Sequence, residues 1–350
     1  MNSRERFLSA MQFGVPDRVP MPCLFQGFSA ETIKRWQREG LPRDVHVVAH
    51  FGFERMELAP VTLGLLPAGD LADREDAREW EVGTDREHAE ETIVRSDQVR
   101  ETYPVREPAQ WVALRRRLNS ASPARYPRFW ADYVRSHRER DYPLGLCFAG
   151  PFSSLREWLG RDALQRAWRE SRAWVGEMID YLGEFAVAAA ARAVQDLGLD
   201  FALVRERWAY QSPLVASAGE LGELLAPCYR KMSDALERAG VKVRLVEAPG
   251  AVAGLIPLWL KGGLNGLCYV EASAGLDAGE LRAQYGRDLA LVGNVDERAL
   301  ASSRRDIAAE VRRATELLAK GGYVPAPDRP VSAEVALEDY EFYLDTLRGR

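Results

Sequence analysis

Histidine is scarce in this 350-residue chain, with four in all, and cysteine is equally scarce. The cysteines Cys23, Cys147, Cys228 and Cys268 lie far apart and form no CxxC and no Cys/His spacing, which argues against a metal finger, a redox dithiol or a disulfide framework. Three sit in apolar runs such as LGLCFAG and GLCYV, where reduced, buried, structural thiols are expected. His88 and His137 fall in strongly charged stretches and are expected to be solvated, while His46 and His50 flank a short apolar run and read either as packing residues or as pocket groups. No Lys/Arg-rich segment with interleaved aromatics is present and the formal net charge is -5, which argues against nucleic acid and anionic membrane as partners. No apolar run reaches the ~18 residues that a membrane span requires. The opening MNSRERFLSAMQFG carries charges where a signal peptide needs an apolar stretch, so a cytoplasmic location is expected. A glycine-rich βα turn for a dinucleotide is also missing; the nearest candidate, KGGLNG, reads as the end of the helix GLIPLWL.

What is present is a sizeable apolar content, 47%, arranged in recurring short β-rich runs. They span residues 19–25, 56–60, 144–150, 200–206, 242–248, 266–272, 289–294 and 322–327, and most are followed by a helical pattern. Ser217 to Glu220 forms a capping box ahead of Leu221, Leu224, Leu225, Cys228 and Met232. Asp277 to Glu280 opens a second helix, and Ile307, Val311, Ala314 and Leu318 mark a third, stopped by Gly321 and Gly322. Eight nearly continuous apolar strands alternating with helices predict an α/β fold of the (β/α)8 TIM-barrel type, one domain over 1–350. The rhythm breaks only at residues 61–143, an insertion after the second strand. Its first part suggests short charged strands; its second, PAQWVALRRRLN and RFWADYVRSHRER, suggests two charged surface helices, placed where a lid over the barrel mouth would be.

Four passages carry a resemblance. SRERFLSAMQFGVPDRVPM, ETIKRWQREGLP, GLIPLWLKGGLNGLCYVEASAGLDAGELRAQYGRDLALVGNVDERAL and LLAKGGYVPAPDRPVSAEVALEDYEFYLDTLR together resemble the uroporphyrinogen decarboxylase superfamily, in its broad decarboxylase-like branch. That superfamily holds porphyrinogen decarboxylases and zinc-dependent corrinoid methyltransferases on (β/α)8 barrels, commonly as dimers, so the resemblance implies a barrel enzyme and a homodimer. The porphyrinogen decarboxylases carry an arginine-rich phrase after the first strand where this chain has FQGFSAETIKRW, with Gln26. Their catalytic aspartate falls on Arg55 of ERMELAPVTLG, and a cation cannot accept hydrogen bonds from pyrrole N–H groups. The DSWAG phrase falls on ERWAY, keeping an acid as Glu206 and placing Tyr210 where glycine stood, and the late histidine falls on Arg329. The methyltransferases share a His-x-Cys-Gly phrase whose place is taken here by Glu247-Ala248-Pro249-Gly250, so a zinc site, and any cofactor, is not expected.

Polar residues that end apolar strands are the sequence's candidates for a site at the carboxyl ends of the barrel. Glu206 and Glu247 are the expected catalytic acids. Gln26, His50, Arg55, Arg205, Trp208, Tyr210, Glu271 and Asn294 are the expected substrate contacts, with Arg55 and Arg205 holding a small carboxylate-bearing molecule. Alternation along the strands then turns Ala202, Val204 and Glu206 into the barrel, and likewise Val243, Leu245 and Glu247, which sends Arg244 to the helix layer. With Glu206 at an open mouth, Glu206→Gln is expected to affect activity more than folding. The leading expectation is a cofactor-independent carbon–carbon lyase of the decarboxylase type. The alternatives are methyl transfer with a corrinoid partner protein, and a barrel that binds a ligand without catalysis.

Overall fold

The computed structural model describes residues 1–66, 104–206 and 216–349. Seven parallel strands form one curled sheet in chain order, β1 (Glu57–Leu58), β2 (Leu144–Ala149), β3 (Phe201–Arg205), β4 (Val243–Glu247), β5 (Gly266–Val270), β6 (Ala290–Val295) and β7 (Tyr323–Pro327). Helices connect the strands and cover one face of the sheet, as parallel crossovers require. The strands are almost wholly buried, which accounts for their near-continuous apolar sequence.

The predicted first strand does not form. Residues 19–25 contain Pro20 and Pro22, which remove two of the N–H donors a ladder would use, and Cys23–Phe25 closes into a 3-10 turn. The segment instead bridges both ends of the sheet at isolated points: Pro22 pairs with Glu54 ahead of β1, and Phe28 pairs with Val331 beyond β7. Seven strands and two bridges thus stand where eight strands were expected.

Helix α1 (Ser3–Met11) lies across the amino-terminal ends of the strands. Its Asn2–Glu5 capping box fixes its start, Phe7 meets Phe201 edge-on at 5.6 Å and stacks near Phe25, and Gly322 N–H donates to the Ala10 carbonyl at 2.8 Å. The three helices read from the sequence are all present. Ser217 and Glu220 form the reciprocal cap of Ala218–Arg238, Asp277 accepts from Glu280 N–H ahead of Ala278–Tyr285, and the third pattern forms Arg304–Ala319, ended before Gly321 and Gly322, which both have positive φ.

Of the insertion, residues 67–103, with His88, lie outside the described residues. Its two predicted helices are present as Pro108–Arg115 and Trp130–Ser136, but they are not merely solvated: Trp111, Leu114, Trp130 and Tyr133 are buried. His137, expected in solvent, is buried too, with Nδ1 against the Tyr133 carbonyl at 2.7 Å and Nε2 against Glu57 at 3.2 Å. Arg125 is 1% exposed and forms no ion pair among the described residues. Its guanidinium donates to the carbonyls of Asn119 (2.7 Å), Thr62 (2.7 Å), Gly64 (3.0 Å) and Arg117 (3.2 Å), and lies over the Phe185 ring. This ties the loop after β1 to residues 117–125. No helix among the described residues is long and apolar enough to cross a membrane.

Candidate active site

Register decides which polar side chains share a face. Arg205 of β3 is the partner of Ala149 on one side and Glu247 on the other, and Glu247 is the partner of Cys268. Partners in a parallel ladder point the same way, and residues two apart share a face, so Phe201, Leu203 and Arg205 lie together with Cys147, Leu245, Glu247 and Cys268. Phe201 meets α1, which marks this as the inner face of the curl. Arg205 Nε donates to Glu247 at 3.1 Å, with both side chains partly exposed. The Arg205 guanidinium is held charged, its pKa raised above the ordinary arginine value, chiefly by the Cys147 sulfur and also by Glu247 and Cys268, against the opposing effect of burial. Four strands therefore bring a cation, a carboxylate and two thiols together on one wall near their carboxyl ends.

Glu206 faces the other way. The parity expected for β3 is reversed: Ala202, Val204 and Glu206 point to the helix layer, where Glu206 is completely buried. Its Oε1 accepts from Phe152 N–H at 3.2 Å and from the Tyr229 hydroxyl; its Oε2 accepts from Ser153 N–H at 2.9 Å and Ser153 Oγ at 2.8 Å. Those two N–H groups belong to the first turn of the helix Pro151–Leu159, whose N-cap is Gly150 and has no side chain to offer. Glu206 serves as the cap from a neighbouring strand, placing negative charge at the positive end of the helix. Gly150 makes room for it, since a Cβ there would fall 2.2 Å from the Glu206 carboxyl carbon. Burial raises the Glu206 carboxyl to about 7, the hydrogen bonds opposing the rise. The predicted catalytic acid is thus a buried cap rather than a group lining the mouth.

For β4 the expected parity holds. Glu247 turns inward and Arg244 outward, where Arg244 donates to the carbonyls of Gly263 at 2.8 Å and Val241 at 2.9 Å.

The remaining candidates divide by position. Asn294, fully buried, accepts from Ala278 N–H and Arg313 and donates to the Val270 and Leu276 carbonyls, so all its capacity is used in joining β5, β6 and their helices. Glu271 accepts from Gly250 N–H at 2.7 Å and Ser273 Oγ at 3.0 Å, and remains partly exposed beside the end of β4. Gln26 is 5% exposed, and its Oε1 has no hydrogen-bond partner among the described residues. Arg55 is at the opposite end of the strands: it precedes β1, pairs with Glu57 and lies 3.8 Å over the ring of Tyr142, itself ahead of β2. It cannot share a ligand with Glu247. His50 is at that amino-terminal end as well, in a cleft with Arg18, Glu54 and Arg348. Trp208 and Tyr210 lie outside the described residues.

Sequence reasoning missed two features. Cys147 was read as a structural thiol, although its two-residue offset from Ala149 puts it on the inner wall with Arg205; strand alternation was the signal. Asp328, just beyond β7, is buried and accepts from Ser273 N–H and Glu297 N–H, and burial raises its carboxyl. The adjacent Arg329 drew attention to itself as the family's missing histidine and hid the neighbour that anchors two loops.

The donor set does not suit the zinc of the methyltransferases. Glu206 and Glu247 lie on opposite faces of the sheet, Pro249 has no ligating atom, and no group of three His, Cys, Asp or Glu residues among the described residues could hold a metal ion. Purified protein is expected to carry far less than one zinc per chain after dialysis, by elemental analysis; near-unit zinc that resists dialysis would overturn this.

No family model matches the chain, and no curated protein matches it in sequence. Among solved structures, the chain is similar to a methyltransferase from Methanosarcina mazei, with 16% identity, a TM-score of 0.62, and coverage of 99% of this chain and 98% of that one. A B12-independent methionine synthase from Shewanella sp. W3-18-1 matches over 63% of this chain and 64% of its own, with 14% identity and a TM-score of 0.37. The nearly complete mutual coverage of the first comparison shows that this chain has the fold of the Methanosarcina mazei protein.

Proposed function

We propose that the protein is a barrel enzyme of the decarboxylase–methyltransferase superfamily that transfers a methyl group to a small carboxylate-bearing substrate, at the inner wall formed by Arg205 and Glu247. The observation that carries this reading is the Arg205–Glu247 pair itself, at 3.1 Å and partly exposed, where the strands of such barrels end. Arg205 offers the planar donor fork that suits a carboxylate, and Glu247 is positioned to take the proton that a nucleophilic atom of the substrate loses as it accepts the methyl group, the methyl donor keeping the electron pair of the bond that breaks. Gln26 holds a buried acceptor without a partner among the described residues, and Glu271 lies beside the end of β4. The fold shared along the full chain with a methyltransferase supports methyl transfer over decarboxylation, and a corrinoid-carrying protein is the donor that the family resemblance suggests. The decarboxylase reading has lost two of the groups it relied on, since Glu206 caps a helix and Arg55 is at the far end of the strands.

A panel of small mono- and dicarboxylates titrated into the protein tests the site. Arg205→Ala is expected to weaken the best ligand by about 1.5–3 kcal/mol, roughly ten- to a hundredfold, with Arg55→Ala leaving it unchanged. The reverse pattern would sink the assignment. Incubation of that ligand with a methylcorrinoid protein then separates the reactions: a methylated product supports the proposal, whereas release of carbon dioxide without any corrinoid restores the lyase.

A further inference from the structure

We propose a second ligand site, for a small organic anion, in the cleft at the amino-terminal ends of the strands. The cleft has a volume of about 350 Å³ and is lined by Arg18, Met21, His50, Phe51, Glu54 and Arg348 among others. That volume is in the range of small-molecule sites, roughly 300–1,000 Å³. Its single carboxylate is already engaged: Glu54 accepts from the buried Arg6 and from Arg18 through Oε1, and from Met21 N–H through Oε2. Arg6 is in turn shared with Asp17. The ion-paired charges are then two guanidinium groups, Arg6 and Arg18, and the Met1 ammonium against two carboxylates, Asp17 and Glu54, with the Arg348 guanidinium lining the same cleft outside this network.

The groups that remain available all favour an anion. Arg348 donates to the Phe51 carbonyl and forms no ion pair among the described residues, so most of its donor fork is unused. Arg18 is 67% exposed beyond its one contact with Glu54. His50 packs edge-on against Phe51 at 5.0 Å, and its ring nitrogens make no hydrogen bond among the described residues. Met21 and Phe51 give the cleft an apolar floor. A carboxylate or phosphate on a short apolar body matches this combination: two guanidinium groups and an imidazole for the anionic head, and side-chain carbon for the rest. The site does not rest on the function proposed for the mouth, and the sheet and α1 separate the two.

Calorimetric titration of the full chain with succinate and with inorganic phosphate tests it. Saturable binding that weakens with added salt is expected for at least one probe. Arg348→Ala should weaken it roughly tenfold or more. Because Arg348 also supports the Phe51 carbonyl, Arg18→Ala and His50→Gln serve as milder variants, each weakening binding while leaving the melting temperature of the free protein unchanged. Arg205→Ala should leave this binding as it is. Binding lost in Arg205→Ala and kept in the three cleft variants would place the anion at the mouth and overturn the proposal. So would the absence of saturable binding for both probes.

Discussion

Glu206→Gln is expected to lower folding stability by about 1–3 kcal/mol, and Glu206→Ala by about 3–5 kcal/mol, read as a fall in denaturation midpoint at constant m-value. This reverses the expectation from sequence, in which the glutamate stood at an open mouth and could be changed without cost to the fold. The amide retains one acceptor but turns an NH2 toward either Ser153 or Phe152, whose N–H groups then face a donor inside the protein. Alanine removes both acceptors and leaves a void beside Tyr229. A pH series makes the test sharper. With the folded carboxyl at about 7 and the unfolded one in the ordinary glutamate range, the native state holds a proton that the unfolded chain has already released. Glu206 therefore contributes most stability below the unfolded pKa and loses that contribution as pH rises through about 7. The wild-type advantage over Glu206→Gln should shrink from pH 5 to pH 8. A growing advantage would mean that the first turn of the helix Pro151–Leu159 outweighs burial and holds the carboxyl low.

Arg125→Ala is the second large effect, expected at about 4 kcal/mol. Four carbonyl oxygens lose a donor at once at a buried position; those of Thr62 and Gly64 keep no other among the described residues, while those of Asn119 and Arg117 retain Ser122 N–H and Leu66 N–H, and the Phe185 ring loses the guanidinium over it. Arg125→Lys should recover only part of this, because an ammonium cannot present the fork that spans Thr62, Gly64, Asn119 and Arg117 together. Chemical denaturation of the three proteins decides it; a loss below about 1 kcal/mol for alanine would show that the loop after β1 has other support.

The helices were legible because their signals are local. A capping box, an apolar stripe and a closing glycine all lie within a few residues: two of the three helices begin where their caps indicate, and the third ends where its glycines do. Strand β4 was legible for a related reason: in KVRLVEA the only charges inside the strand are Arg244 and Glu247, three apart and so on opposite faces, and each found a distinct setting. Strand β3 was not. FALVRE is apolar on both faces and ends in adjacent charges, so either parity sends one of them inward. What decides between them is distant in sequence: Gly150, with room for a carboxyl; the donors of Phe152 and Ser153; and the hydroxyl of Tyr229. Asn294 and Asp328 were opaque in the same way, as their partners come from other connections. Arg55 was misplaced because a family phrase gives a residue's neighbours in sequence but not which end of the strand they occupy. The first strand could have been doubted from Pro20 and Pro22 alone.

The fit between Gly150 and Glu206 constrains how this chain can change. A side chain at 150 is intolerable whether or not the glutamate is present, because a Cβ there would fall 2.4 Å from the Arg205 carbonyl oxygen as well as 2.2 Å from the Glu206 carboxyl carbon, so the turn at 151–153 cannot acquire a local cap at 150. Loss of the glutamate is not repaired by Gly150→Ser, which is harmful in either background. Descendants of this chain should therefore keep glycine at 150 throughout, and with no side chain able to cap the helix from there, they should keep an acceptor at 206 as well.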